Sequence, residues 1–337
     1  MKNYRRMTAL ALALVLLVCP VLFGCGNKDK NKIAEDECVL TAGGHEISYG
    51  LYRYFFLNYK AGYSEEEISA DPQSVYEKIS EDVIDSLEGV YAVVAMCSEY
   101  GISLTDSEIK TKVEATIANI CEQNINEEYD KTGIKGYKKQ LASNFMTEEV
   151  LKFVLSVDFA EEMLFVKMTG EGTVIPSDDD TVRRAIDSEF IRVLQVYINT
   201  EENGKSYEDS KALALDIAKK AQSGADFDTL VANNSNDYTM TRDGYYMPRG
   251  WMDERFEEVA FSLEIGEVSD ALELGDGFHI IKRYECEDEY IEKNYEELKE
   301  RYLTCKFYEK VDAKAANITV SKTERFSSIK PEYIALG

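Results

Sequence analysis

The chain has 337 residues, with 38 lysines and arginines against 63 aspartates and glutamates, for a formal charge of −25. So acidic a balance makes nucleic acid and anionic surfaces poor partners. Only His45 and His279 carry imidazole and the cysteines show no paired spacing, which excludes histidine-rich metal sites and zinc knuckles.

At the N-terminus, Lys2, Arg5 and Arg6 precede an apolar run from Met7 to Phe23. That is the layout of a secretory signal peptide. The run ends in Leu22-Phe23-Gly24-Cys25, which is similar to a lipobox, where the cysteine receives diacylglycerol before cleavage. Residues 1–24 then read as signal peptide, and residues 25–37 as the lipidated Cys25 and its tether. An uncleaved membrane anchor is the alternative for a run of this length; Pro20 and Gly24 near its end argue for processing. Either way the body lies on the extracytoplasmic side of the cell membrane. Cys38, Cys97, Cys121, Cys286 and Cys305 remain in the mature chain, odd in number and widely spaced. They read mostly as small buried hydrophobes, and a bridge between two of them stays open.

Residues 38–186 read as a mainly helical block. It opens with Cys38 to Ser48, a short hairpin around Gly43-Gly44. Val75, Ile79, Val83, Leu87, Val90 and Val94 recur at helical spacing and form one buried stripe. Gly101 suits a left-handed cap after that helix. Thr105 and Glu108 predict a capping box for a helix burying Ile109, Val113, Ile117 and Ile120. A further helix carries Val150, Phe153, Val154, Val157, Leu164, Phe165 and Met168. Pro176 to Asp180 predicts the start of a linker helix.

Residues 187–286 predict a compact α+β module, with helices packed on a small antiparallel sheet. Its strands run from Ile191 to Thr200 and from Phe278 to Glu285, and its helices cover 207–222 and 253–262. In residues 287–337, Ile291, Tyr295, Leu298, Tyr302 and Cys305 line one face of a long helix, and Asn317 to Val320 read as a strand. So short a tail makes little core alone.

Six local signatures follow one another through the module. They are Ile191-Arg192-Val193-Leu194-Gln195-Val196-Tyr197-Ile198; Ser223-Gly224-Ala225-Asp226-Phe227; Asn234-Ser235-Asn236-Asp237; Arg249-Gly250-Trp251-Met252 with Phe256 and Phe261; Leu263-Glu264-Ile265-Gly266-Glu267-Val268-Ser269; and Gly277-Phe278-His279-Ile280-Ile281-Lys282. In that order they resemble a parvulin (PpiC-type) peptidyl-prolyl isomerase domain. Together with the lipobox-like ending and the first hairpin, they make the whole chain similar to PrsA/SurA-type foldase lipoproteins. The resemblance implies an α+β protein in which residues 38–186 and 287–337 form one helical chaperone-like domain, with the parvulin-like domain inserted between them.

It also implies a peptidyl-prolyl cis–trans isomerase that uses no metal or cofactor and acts on unfolded or partly folded exported polypeptides. The membrane would be met through the N-terminal lipid, and a homodimer is one assembly it allows. The resemblance further places Asp237, His279 and Gln195 at catalytic positions, and Met252, Phe256 and Met247 at the proline pocket. Each has a plainer reading. Met252 and Phe256, four residues apart on one helical face, suit ordinary core equally well. His279 among apolar neighbours suits a satisfied core histidine, and Asp237 suits a turn.

This chain departs from the family pattern in three places. Gln195 stands where a histidine is common, Arg242-Asp243-Gly244-Tyr245-Tyr246 replaces a glycine-rich turn, and Asp276 precedes Gly277. Gln195 can still donate and accept hydrogen bonds, but it cannot change charge near neutral pH. The departures keep a second reading alive, a holdase chaperone with a weak or inactive parvulin domain. A solute-binding lipoprotein would need two α/β lobes, which the helical first block contradicts. A calcium site at Asp178-Asp179-Asp180 lacks regular loop spacing. The acidic surface reads as solvation, with attraction for basic client segments as the alternative.

Overall fold

The computed structural model describes residues 33–126, 128–200 and 206–334. The expected signal segment, Cys25 and the expected tether as far as residue 32 lie outside the described residues. No described helix is long and apolar enough to cross a membrane. The fold is α+β, mainly helical with small sheets. It divides into two compact units: Thr169–Glu309, and the described residues up to Met168 together with those from Lys310 onward.

In the latter unit, strands Cys38–Ala42 and His45–Ser48 pair antiparallel around Gly43 and Gly44, whose φ angles of 56° and 86° favour glycine. Ser48 ends the hairpin and caps the Tyr49–Lys60 helix, accepting from the Leu51 backbone N–H at 3.2 Å. The Pro72–Glu99 helix is longer than the stripe predicts, because Asp71 caps it and Pro72 fits its first turn. Ile79, Val83, Leu87 and Val90 are buried, while Val75 and Val94 are half-buried. Gly101, with φ 67°, follows this helix as expected. The Glu148–Met168 helix buries Val150, Val154, Val157, Leu164 and Met168.

Three local expectations need correction. No capping box forms at Thr105: the next helix is Ser107–Gln123 with Asp106 at its cap and no side-chain cap bond. The Thr105 hydroxyl lies 2.9 Å from that of Ser103, and Asp106 accepts from the Ser103 N–H at 3.0 Å, so the turn takes the groups a cap would use. Pro176 lies in the short strand Ile175–Pro176, and Asp178 caps the Asp179–Glu189 helix instead. The tail helix is two helices, Asp288–Lys293 and Tyr295–Ala315. They part at Asn294, whose side-chain amide donates to the Tyr290 carbonyl at 2.8 Å. Ile291, Tyr295, Leu298, Tyr302 and Cys305 are nonetheless all buried. The final strand is Val320–Lys322, antiparallel to Cys38–Ala42. No disulfide joins Cys38, Cys97, Cys121, Cys286 and Cys305. Burial pushes the Cys97 thiol up to about 12, and Glu161 adds to the effect.

The Thr169–Glu309 unit holds a four-stranded antiparallel sheet ordered Tyr245–Met247, Ile191–Asn199, Gly277–Tyr284, Leu272–Leu274. Alternation along the central strand assigns its two faces. Leu194, Val196 and Ile198 pack with Ala214, Ile217, Ala218 and Phe227. Ile191 and Val193 turn the other way and pack with Met247, Phe256, Ala260, Leu263 and Ile281. Gln195 and Tyr197 continue that second face. The apolar cluster therefore runs directly into polar side chains.

Candidate active site

Register brings the first two groups together. Gln195 pairs with Ile281, and Tyr197 pairs with His279, so Gln195 and His279 are diagonal neighbours on one face. His279 Nδ1 lies 2.8 Å from Gln195 Oε1, and Gln195 Nε2 donates to Asp237 Oδ2 at 2.6 Å. The amide orientation is dictated by its partners. A carboxylate only accepts, so the NH2 faces Asp237; Oε1 then faces His279, whose Nδ1 must carry the hydrogen. His279 Nε2 meets Asp276 Oδ1 at 3.1 Å. The chain Asp276–His279–Gln195–Asp237 thus crosses two strands and the loop after the Phe227–Asn234 helix.

Asp237 is the most heavily bonded member. Its Oδ1 accepts from the Thr239 hydroxyl at 2.8 Å and from the Thr239 and Met240 backbone N–H groups at 3.1 Å each. Its Oδ2 accepts from Gln195 and from the Tyr245 hydroxyl at 2.8 Å. Burial alone would raise its carboxyl, but bonds from Thr239, Tyr245 and Gln195 hold it below the usual carboxylate range. Burial pushes the Tyr245 hydroxyl up to about 12; its bond with Thr239 opposes the rise, and the Asp237 charge adds to it. Asp237 is thus a turn aspartate that also bonds to Gln195 and Tyr245.

The apolar side begins at the same histidine. The Phe256 ring stands edge-on to His279, with centroids 5.9 Å apart at 86°, and Tyr197 stacks on His279 at 4.8 Å. Phe256 and Met247 are buried, at 4% and 0% exposure, whereas half-buried Met252 packs on the same cluster. Met252 precedes the Glu254–Ser262 helix, which Asp253 caps. Sequence reading missed the group that fixes its loop. Buried Glu257 accepts from the Gly250 N–H at 2.7 Å and the Met252 N–H at 2.8 Å. Arg301 donates to the Tyr246 carbonyl and lies 4.5 Å over the Trp251 ring. Thr239 and Tyr245 were also missed. The Asp-x-Thr spacing of a side-chain turn signals the first, but no local pattern marks Tyr245, Glu257 or Arg301.

Residues 196–285 match the Rotamase family, described as the PPIC-type PPIASE domain. They are a parvulin-type isomerase domain. Gln195 lies one residue before the matched stretch, while His279, Asp237, Met252 and Phe256 lie within it. The domain sits in a chain similar to foldase protein PrsA of Caldanaerobacter subterraneus subsp. tengcongensis. That protein is 28% identical over 297 residues, covering 82% of this chain and 82% of the relative. Foldase protein PrsA of Bacillus subtilis is 36% identical over 83 residues, 24% of this chain and 28% of that one. A crystal structure of PrsA from Bacillus anthracis covers 68% of this chain and 94% of its own at 17% identity, with a TM-score of 0.34. Peptidyl-prolyl isomerase is the enzyme class of the domain.

Proposed function

We propose that the chain is a membrane-anchored extracytoplasmic foldase whose isomerase domain speeds rotation about X-Pro bonds in exported polypeptides. A peptide bond resists rotation by roughly 18–20 kcal/mol, and X-Pro bonds exchange over tens to hundreds of seconds unaided. No covalent bond needs to break. The site must hold the twisted amide more tightly than either planar form.

The chain's own groups suit that task. Half-buried Met252 offers apolar surface to a proline ring, and buried Phe256 and Met247 back it. Asp237 is a fixed negative charge whose acceptor sites are already occupied by donors, so it holds its place without shuttling protons. A planar amide carries partial negative charge on its oxygen, which such a carboxylate opposes. Twisting removes resonance and lessens that charge, so the anion favours the twisted form. Gln195 and His279 hold Asp237 and the Phe256 ring in one geometry. Each ~1.4 kcal/mol of preference for the twisted form gives tenfold in rate.

The observation that carries this reading is the unbroken bonding from Asp237 through Gln195 to His279, ending against the Phe256 ring. It also supports turnover over the holdase-only reading, since the Gln195 amide bonds to both partners. Anchoring rests on the basic start, the apolar run and Cys25. The test is exchange of a proline tetrapeptide with the purified chain. We expect acceleration that Met252→Ala lowers about tenfold or more while leaving the melting temperature within a few degrees. Undiminished turnover in Met252→Ala would remove Met252 from the pocket, and no acceleration by the parent chain would end the catalytic proposal. Release of the protein from membranes by Cys25→Ala tests the anchor.

A further inference from the structure

We infer that a second polypeptide-binding site, in the unit containing residues 33–168, takes cationic side chains from extended segments. The inference rests on the foldase reading only for the polypeptide nature of its ligand. A cavity of about 650 Å³ opens there, lined by His45, Tyr91 and Phe153 among others. Small-ligand sites commonly span about 300–1,000 Å³, so this one holds one or two amino-acid side chains. His45 and Tyr91 stack with centroids 5.4 Å apart at 29°, and Tyr91 and Phe153 at 6.0 Å and 30°. His45 is exposed and Phe153 half-buried, so both end rings of this ladder keep surface that solvent reaches.

Around the rings stand carboxylates. Asp36, Glu46 and Glu149 line the cavity, are exposed, and form no ion pair among the described residues. Glu35 also lines it but is paired with Arg53 at 3.1 Å. No lysine or arginine is among the lining residues. Aromatic faces are negative at their centres and attract cations. An acidic rim over such faces rejects anions and accepts an arginine or lysine with an apolar stem. A bare metal ion fits poorly, because no described group of three or more His, Cys, Asp or Glu converges to hold one.

The experiment titrates the full chain with a fluorescein-labelled peptide of alternating arginine and leucine, lacking proline, read by anisotropy. The same peptide with glutamate for arginine is the comparison. We expect the arginine peptide to bind and the glutamate peptide not to. The double variant Asp36→Lys, Glu149→Lys should weaken binding about tenfold or more. Phe153→Leu should weaken it less. Turnover of a proline tetrapeptide should remain at the parental rate in both. Glu65→Lys with Glu66→Lys, both exposed and outside the cavity, should leave binding intact and so separates the pocket from net charge. Equal affinity for the two peptides, or a Kd unchanged by the rim reversal, would overturn the inference. So would loss of arginine-peptide binding in Met252→Ala, which would put the peptide in the isomerase domain. A parental dimer that the peptide splits in gel filtration would make a second copy the occupant and also overturn it. Absent isomerisation with retained arginine-peptide binding would sink the catalytic proposal while leaving this one standing.

Discussion

The Gln195 side chain reaches His279 Nδ1 at 2.8 Å with its carbonyl oxygen, a contact between neighbouring strands of the sheet. Both residues are nearly buried, at 7% and 6% exposure, so neither can exchange its partner for water. Gln195→Leu leaves the Nδ1–H of His279 without its acceptor and one oxygen of Asp237 without the Gln195 donor. A buried group stripped of its bond costs about 1–3 kcal/mol. Turnover should therefore fall about tenfold to a hundredfold, measured as kcat/KM on a proline peptide beside a denaturation curve. Gln195→Glu should be worse, because it sets a second carboxylate against Asp237.

Glu257 makes a different prediction. It touches no polar member of the network but grips the backbone at Gly250 and Met252. Glu257→Ala should free that loop and raise KM more than it lowers kcat, while Glu257→Gln, which can still accept one bond, should restore part of the loss. Amide hydrogen exchange at Gly250 and Met252 should quicken in the alanine variant. Unchanged protection there would show that other contacts hold the loop.

Acid should weaken the domain through Asp237. Its folded carboxyl is held below the usual value of 3.8 by its donors. A depressed carboxylate stabilises the fold above its unfolded pKa, and that stabilisation is lost as pH falls through the folded pKa. Denaturant midpoints should therefore drop more steeply below about pH 4 in the parent than in Asp237→Asn. The asparagine variant should already be less stable near neutrality. Parallel curves for the two would remove Asp237 from the acid transition.

Gly244 and Gly277 are fixed by backbone geometry. Gly244 has φ +76°, and a Cβ there would come within 2.5 Å of the Val193 carbonyl oxygen. Gly277 has φ +146°, and its Cβ would meet the Ile198 carbonyl oxygen at 2.2 Å. Alanine at either site should cost about 1–3 kcal/mol or more, seen as a lower thermal midpoint. Gly277→Ala should also depress turnover, since Gly277 leads into the strand that carries His279.

Much of the fold could be read directly. The Tyr207–Gln222 helix and the strands Ile191–Asn199 and Gly277–Tyr284 match their expected bounds within about two residues. Their signals are local: period-two apolar patterning, glycine after a helix, a serine or aspartate before one. Where expectation failed, two local groups competed for the same bonds. At Thr105 the turn hydrogen bonds displaced the capping box, and at Asn294 a side-chain amide took a carbonyl and split the tail helix. Asp237 and His279 were marked by their place in the motif series, but nothing near them in sequence pointed to Tyr245, Glu257 or Arg301.

What sequence alone determined is the set of amphipathic segments, because burial patterns repeat at 2 or 3.6 residues and need no partner to be seen. It determined the isomerase class too, through motif order. Strand register decided the rest. Setting Tyr197 opposite His279 turned Gln195 into a bridge to Asp237, forty-two positions away along the chain. A one-residue slip would send every side chain on that strand to the opposite face, and packing against Met247, Phe256 and Ile281 on one face and Ala214, Ile217 and Phe227 on the other selects the register seen.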